Sequence, residues 1–140
     1  MRNTAVPNRN FFLTPRSRTL LMAALLALGP GVVPAVAQFD LAAIRARAEA
    51  GDADALNTLG NLAANGQGVP QSDREAMRLY QLAAERGHAP ANFNLGMMHE
   101  LGRGAPRDLQ AAFGYYLKAA EAGFAPAQFN VGNMYANGVG

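Results

Sequence analysis

Apolar positions along this chain fall into two regimes. Leu20 to Leu28 is an unbroken apolar run, whereas beyond about residue 40 the apolar residues return at intervals of three and four, the spacing of one helical face. Ala55, Leu59, Leu62 and Ala63 predict a first helix, capped by Asp52 and closed near Asn65-Gly66. Gly66-Gln67-Gly68-Val69-Pro70 reads as a turn, since its proline blocks continuation of the helix. Ser72-Asp73-Arg74-Glu75 has the form of a capping box. It opens a second helix with Ala76, Leu79, Tyr80, Ala83 and Ala84 on its narrow apolar face, ending at Gly87.

The same plan returns every 36 residues. Gly60, Gly96 and Gly132 keep that beat, as do Ala55, Ala91 and Ala127, and the larger residues Leu59, Leu95 and Val131. The second unit runs through Pro90, Phe93, Leu95, Met98 and His99 to the turn Gly102-Arg103-Gly104-Ala105-Pro106, and its second helix carries Ala112, Tyr115, Tyr116, Ala119 and Ala120 after Asp108. The third starts at Pro126 and stops at Gly138-Val139-Gly140. Residues 40–50 match a second helix alone, with Ile44 in the place of Tyr80 and Tyr116. The chain therefore divides into a partial cap helix at 40–50 and units at about 52–87, 88–123 and 124–140, the last incomplete. A fixed period of this length predicts an all-α stack of antiparallel helix pairs. A mid-helix glycine costs about 1 kcal/mol relative to alanine, so its recurrence implies a compensating close approach of helices. The last helix lacks a second-helix partner, which should leave Phe129, Val131 and Met134 partly uncovered. Arrays need about three or more units, so the expectation is a marginal helix at 126–136, poor stability alone or self-association, and a fragment of a longer repeat protein stands as an alternative.

The first 37 residues change the reading of the charge. Arg2, Arg9, Arg16 and Arg18, the short apolar run, the break at Gly29-Pro30-Gly31 and Ala35-Val36-Ala37 before Gln38 describe a secretory signal peptide over 1–37. The run is well short of the roughly 20 apolar residues a spanning helix needs, so no membrane span is expected after cleavage. The whole chain carries a formal charge of +2, but residues 38–140 hold eight basic residues against ten acidic ones, a net of −2. No clustered basic face survives, which excludes a nucleic-acid role. Cysteine is absent, so stability in an exported setting rests on apolar packing alone. The expected location is periplasmic or secreted.

The run Ala91-Asn92-Phe93-Asn94-Leu95-Gly96-Met97-Met98-His99, followed by Gly102-Arg103-Gly104, resembles a Sel-1-like repeat, as do Ala127 to Gly140 and Asp108 to Gly123. The resemblance covers about residues 40–140. It implies a right-handed α-solenoid related to tetratricopeptide arrays, used as an adaptor for other proteins, with secreted bacterial members looking like envelope scaffolds or regulators of signalling partners. The family's aromatic after the mid-helix glycine is present only as Tyr135, with Ala63 and His99 in the earlier units, and Asn57 stands where the others have Phe93 and Phe129. These departures point to the first unit as the least secure. The lack of cysteine separates the chain from the disulfide-clamped branch of the family, whose proposed cell-wall or β-lactam binding, or β-lactam hydrolysis, gives the alternative function.

Catalytic chemistry is sparse. Ser72 is the one serine beyond the signal and sits at a helix cap, Lys118 is the sole lysine, and no Ser-x-x-Lys exists. His88 reads as an exposed joint residue and His99 as a packed, hydrogen-bonded core histidine; two histidines without cysteine make a poor metal set, so no catalytic residue, metal or cofactor is expected. The glycine-flanked turns follow helices and lack the Lys-Ser/Thr ending of a phosphate loop. The better signal is a polar row on the first helices. Asn61, Met97 and Asn133 occupy equivalent places, Asn94 and Asn130 lie three residues before the last two, and Glu100 extends the row. First helices of paired-helix solenoids line the concave surface, where amide side chains can bond an extended peptide. For Asn94 and Asn130 inter-repeat bonding competes with that role.

Overall fold

The computed structural model describes residues 35–140, with side chains from Leu41 onward. The segment assigned to the signal peptide lies outside the described residues, apart from the Ala35-Val36-Ala37 site itself. Six helices follow in order: α1 (Ala35–Glu49), α2 (Ala53–Asn65), α3 (Asp73–Ala84), α4 (Ala89–Leu101), α5 (Leu109–Glu121) and α6 (Ala125–Ala136). Each packs chiefly on its neighbours in the chain, which makes the described residues an all-α solenoid. Helix α1 begins ahead of the expected mature terminus Gln38.

The helix ends follow from local chemistry. Asp52, Ser72 and Asp108 accept hydrogen bonds from the backbone N–H groups of Ala55, Glu75 and Ala111 at 3.1, 3.1 and 2.9 Å, satisfying donors that the first helical turn leaves unpaired. The box at Ser72 is half formed, because Glu75 turns to Arg78 at 2.7 Å and the Ser72 N–H bonds the Ala63 carbonyl at 2.9 Å. His88 corrects its reading as an exposed joint residue. Its Nδ1 caps α4 by accepting from the Ala91 N–H at 3.1 Å, and its Nε2 meets Asp54 of the preceding repeat at 2.8 Å. Gly66 and Gly102 close α2 and α4 at φ 67°, a left-handed conformation that glycine adopts without steric cost.

The recurrent mid-helix glycine has a definite neighbour. A Cβ on Gly60 would lie 2.6 Å from the Tyr80 ring, and one on Gly96 would lie 2.5 Å from the Tyr116 ring. Within each complete repeat the second helix thus lays its tyrosine flat on a side-chain-free spot of the first. Tyr116 is fully buried. Phe93 packs beside it, ring centroids 5.4 Å apart, and Phe124 packs on Phe93 at 5.3 Å.

Two expectations from the sequence are corrected here. The first repeat is not thinned: Leu56, buried on α2, stands where Asn92 and Gln128 lie in the later repeats, and Asn57 exchanges the expected aromatic contact for a hydrogen bond from Asn94 at 2.9 Å. In the third repeat, Val131 and Met134 are buried with Ala112, Tyr116, Phe113 and Leu117 of α5. The expectation holds for Phe129, 69% exposed, and the other exposed large apolar residue of α6 is Tyr135, 59% exposed. The difference arises because Val131 and Met134 face onto α5, whereas Phe129 faces away from it.

Repeats are also joined by their turns. Arg103, in the turn of the second repeat, reaches back to the Asp73 carboxylate at the start of α3 and donates to the Ala64 carbonyl at 3.1 Å. Gly104 lies so close to α3 that a Cβ there would sit 2.8 Å from the Asp73 carbonyl oxygen.

Candidate functional site

The six residues singled out on the first helices separate into two clusters and an outlier. Asn61, Asn94 and Met97 line one cavity of about 130 Å³, together with Tyr80, Leu101 and Arg103. Engineered core cavities of about 150 Å³ hold one benzene ring, whereas small-molecule sites run from about 300 Å³ upward. The hollow therefore suits a single apolar side chain of a larger partner better than a metabolite.

Its floor is polar and internally bonded. The Tyr80 hydroxyl donates to Asn61 Oδ1 at 2.7 Å, and Asn94 Nδ2 donates to Asn57 Oδ1 at 2.9 Å and to Asn61 Oδ1 at 3.4 Å. With its carbonyl oxygen occupied, Asn61 presents its amide N–H groups outward, and these make no bond among the described residues. Asn94 is therefore chiefly a bridge between repeats, one of the two roles open to it from the sequence. The lip of the cavity is apolar. Met97 and Leu101 lie one helical turn apart on α4 and are 37% and 63% exposed.

Leu101, Arg103 and the Tyr80 hydroxyl were missed by reasoning from the sequence, although one signal existed. Leu101 stands where the other repeats have Asn65 and Asn137, and Met97 stands where they have Asn61 and Asn133. Two breaks in the period thus put an apolar pair where the repeat otherwise has amides.

Glu100 and Asn130 belong to the second cluster, around Tyr116. The tyrosine hydroxyl donates to Glu100 Oε2 at 2.6 Å, and Asn130 lies half-buried on α6. Glu100 is thereby engaged in joining α4 to α5. Asn133 is exposed on α6, apart from either cluster. His99 stacks on Tyr115 at 5.4 Å, but its buried Nδ1 has no hydrogen-bond partner, which corrects the expected hydrogen-bonded core histidine.

The tyrosines give the fold a pH limit. Burial, followed by the bond to the Glu100 carboxylate, pushes the Tyr116 phenol well above its ordinary value of 10.0, and burial raises Tyr80 as well. A raised folded pKa favours the folded state below the unfolded value of about 10, and that contribution is lost as pH climbs toward the folded one. The melting temperature should hold to about pH 10 and fall above it, and Tyr116→Phe should flatten that fall. Thermal melts from pH 7 to 12 check both expectations, and an identical alkaline drop in the variant would exclude Tyr116 as its source.

Among the described residues, no group of three His, Cys, Asp or Glu side chains is placed to hold a metal ion, and no helix is long and apolar enough to cross a membrane. Ser72 is committed to its cap. Larger furrows lie elsewhere, including one of about 470 Å³ where Arg45, Arg78 and Arg86 surround Leu56, Leu79 and Leu82.

A solenoid of stacked antiparallel helix pairs defines the class of helical-repeat proteins. The Sel1 repeat model matches residues 53–88, 89–124 and 125–140, and the chain belongs to that family. Sel1 repeats generally mediate protein interactions, and their proteins are generally non-catalytic scaffolds. The fold is similar to a Sel1 repeat protein from Oxalobacter formigenes, with 40% identity over 72% of this chain and 76% of that one, and a TM-score of 0.67. It is also similar to a protective antigen present in uropathogenic Escherichia coli strains that displays an SLR fold. There the identity is 36% over 71% of this chain, the TM-score is 0.68, and the match spans only 21% of that protein. Helicobacter pylori cysteine rich protein B shares the fold at 22% identity and a TM-score of 0.61, over 64% of this chain and 68% of that one. No match was found among curated proteins.

Proposed function

We propose that this chain is a non-catalytic adaptor of the bacterial cell envelope that takes an extended segment of a protein partner along its first helices. The observation that carries this reading is the cavity between α2 and α4. Its apolar lip, Met97 and Leu101, suits one anchoring side chain, and the outward amide of Asn61 suits a backbone carbonyl of the same segment. Asn133 extends the polar row toward the C-terminal end. Export to the periplasm or beyond rests on the pattern of residues 1–37, and the terminus of the processed protein is expected at Gln38.

A photo-crosslinker placed at position 101 in the exported protein should trap one partner. Met97→Asp should weaken its capture by about tenfold or more, the loss expected when an apolar anchor of about 1.5–3 kcal/mol is removed. Both side chains are exposed, so the circular-dichroism melt should stay in place. Undiminished capture by Met97→Asp and Asn61→Ala variants would remove the groove from consideration. Hydrolysis of a β-lactam by the purified protein would replace the adaptor reading with an enzymatic one.

A further inference from the structure

The seams between second helices hold corresponding furrows, and the first is lined by different chemistry from the next. One, of about 470 Å³, lies between α1 and α3 over α2, and the other, of about 360 Å³, lies between α3 and α5 over α4. The walls of both are helices of this chain or the turns that end them, so neither owes its opening to a missing element. A shift of 36 residues relates the two. Arg45, Arg78 and Arg86 of the first stand at the places of Gln81, Gly114 and Ala122. Leu56 and Leu82 stand at the places of Asn92 and Lys118, which gives the first furrow an apolar floor. The helices stack at both seams, so the fold itself does not demand three guanidinium groups round leucine.

Two of those groups are held in position. Arg86 donates from Nη1 to the Leu82 carbonyl at 2.5 Å and lies over Gly51, where a Cβ would meet its Nη2 at 3.2 Å. Arg78 donates to both carboxylate oxygens of Glu75, at 2.9 and 2.7 Å, which takes up part of its charge and leaves Nη1 without a bond among the described residues. Arg45 lines the opposite wall, and Glu49, one turn beyond it on α1, is the one acidic residue of the lining. Arg78, Leu82 and Arg86 follow at intervals of four, which sets the arginines about 12 Å apart along their wall with a leucine between. An extended chain advances about 3.3 Å per residue and turns alternate side chains to one face. Carboxylate, apolar and carboxylate side chains at its positions i, i+2 and i+4 therefore match this wall.

We infer that the furrow between α1 and α3 binds an extended acidic segment of a protein, its apolar side chain on the leucine floor and its carboxylates on the arginines. Charge selects this occupant. Residues 38–140 carry a net charge of −2, so an acidic segment finds little attraction over the molecule at large, yet three of its eight basic residues gather here. Guanidinium groups suit carboxylates through paired, charge-assisted hydrogen bonds. A small anion would meet one end of the furrow and leave the leucines bare. No lining residue is shared with the cavity at Met97, so the two sites can fail separately.

The test uses the full chain, isotope-labelled, and the blocked peptide Glu-Ser-Leu-Ser-Glu-Ser-Leu-Ser-Glu. Saturable shifts should centre on the methyl groups of Leu59 and Leu82 and on the Arg86 side chain, with a Kd below about 1 mM. Arg45→Gln combined with Arg86→Ala copies the second furrow at two places and should weaken the peptide by about tenfold or more. Arg45→Gln alone removes none of the described hydrogen bonds and should weaken it by about threefold, which keeps the test open if the double variant melts early. Met97→Asp should bind as the parent does. Unchanged affinity in both arginine variants, equal binding of peptides with lysine for glutamate or serine for leucine, or no saturable shift up to about 1 mM peptide would overturn the inference. Phosphatidylglycerol vesicles that displace the peptide and bind the parent but not the double variant would also overturn it, by making a membrane surface the occupant.

Discussion

Tyr116→Ala should lower the unfolding free energy by about 3–5 kcal/mol, the range for truncating a large buried aromatic to alanine. Tyr116 is fully buried, its ring lies on the backbone of Gly96 and beside Phe93, and its hydroxyl meets Glu100 at 2.6 Å. Removing it opens a ring-sized void between α4 and α5 and strips Glu100 of its donor. Domains of this size are stable by about 5–15 kcal/mol, so the loss takes a large share of the total. Tyr116→Phe keeps the ring and gives up only the hydrogen bond to a half-exposed carboxylate, about 1.5 kcal/mol. Urea unfolding of both variants separates packing from the polar contact. A loss under about 1.5 kcal/mol for the alanine variant would mean the two helices do not pack as described.

Gly96→Ala should destabilise by about 2 kcal/mol although alanine is the better helix former. Two terms oppose each other. Helix propensity favours alanine by about 1 kcal/mol, while overpacking a tight core contact costs about 1–3 kcal/mol. The added methyl would lie 2.5 and 2.6 Å from two ring carbons of a side chain with no room to retreat, so overpacking wins from the upper end of its range. Gly132→Ala, at the equivalent position without a covering ring, should stabilise by about 1 kcal/mol. Thermal melts of the two variants check the pair, and shifts of the same sign would refute the packing role given to Gly96.

This opposition of sign marks what the sequence made legible. Period and spacing predicted helix pairs, their caps at Asp52, Ser72 and Asp108, and a close approach at Gly60 and Gly96, since each follows from local chemistry or from a beat repeated three times. Which face of α6 is covered did not follow. Val131 and Phe129 are two residues apart on one helix, and only the position of α5 decides that one is buried and the other bare. The site was legible in part for a related reason. Amides at Asn61 and Asn94 stood out by recurrence, and the structure brings them together with Met97. Leu101 broke the recurrence and went unnoticed, and the bond of Glu100 to Tyr116 depends on a tyrosine from the following helix, with no trace in its own segment. His88 was undervalued because Asp52 and Phe124 at its equivalent positions share no chemistry with it, although Asp52 caps a helix as His88 does.

Besides the apolar core that Leu95 and Met98 share with the first repeat, the two seams of the stack differ in their other ties. Between the first and second repeats run Arg103 to Asp73 and to the Ala64 carbonyl, His88 to Asp54, and Asn94 to Asn57, all polar and partly open to solvent. Between the second and third, the contacts are mainly rings, Phe93 on Phe124 and Phe113 on Tyr135. Added salt screens the Arg103–Asp73 pair and leaves the ring contacts alone or tightens them. Raising the ionic strength should therefore loosen the charged tie of the first seam before it touches the ring contacts of the second.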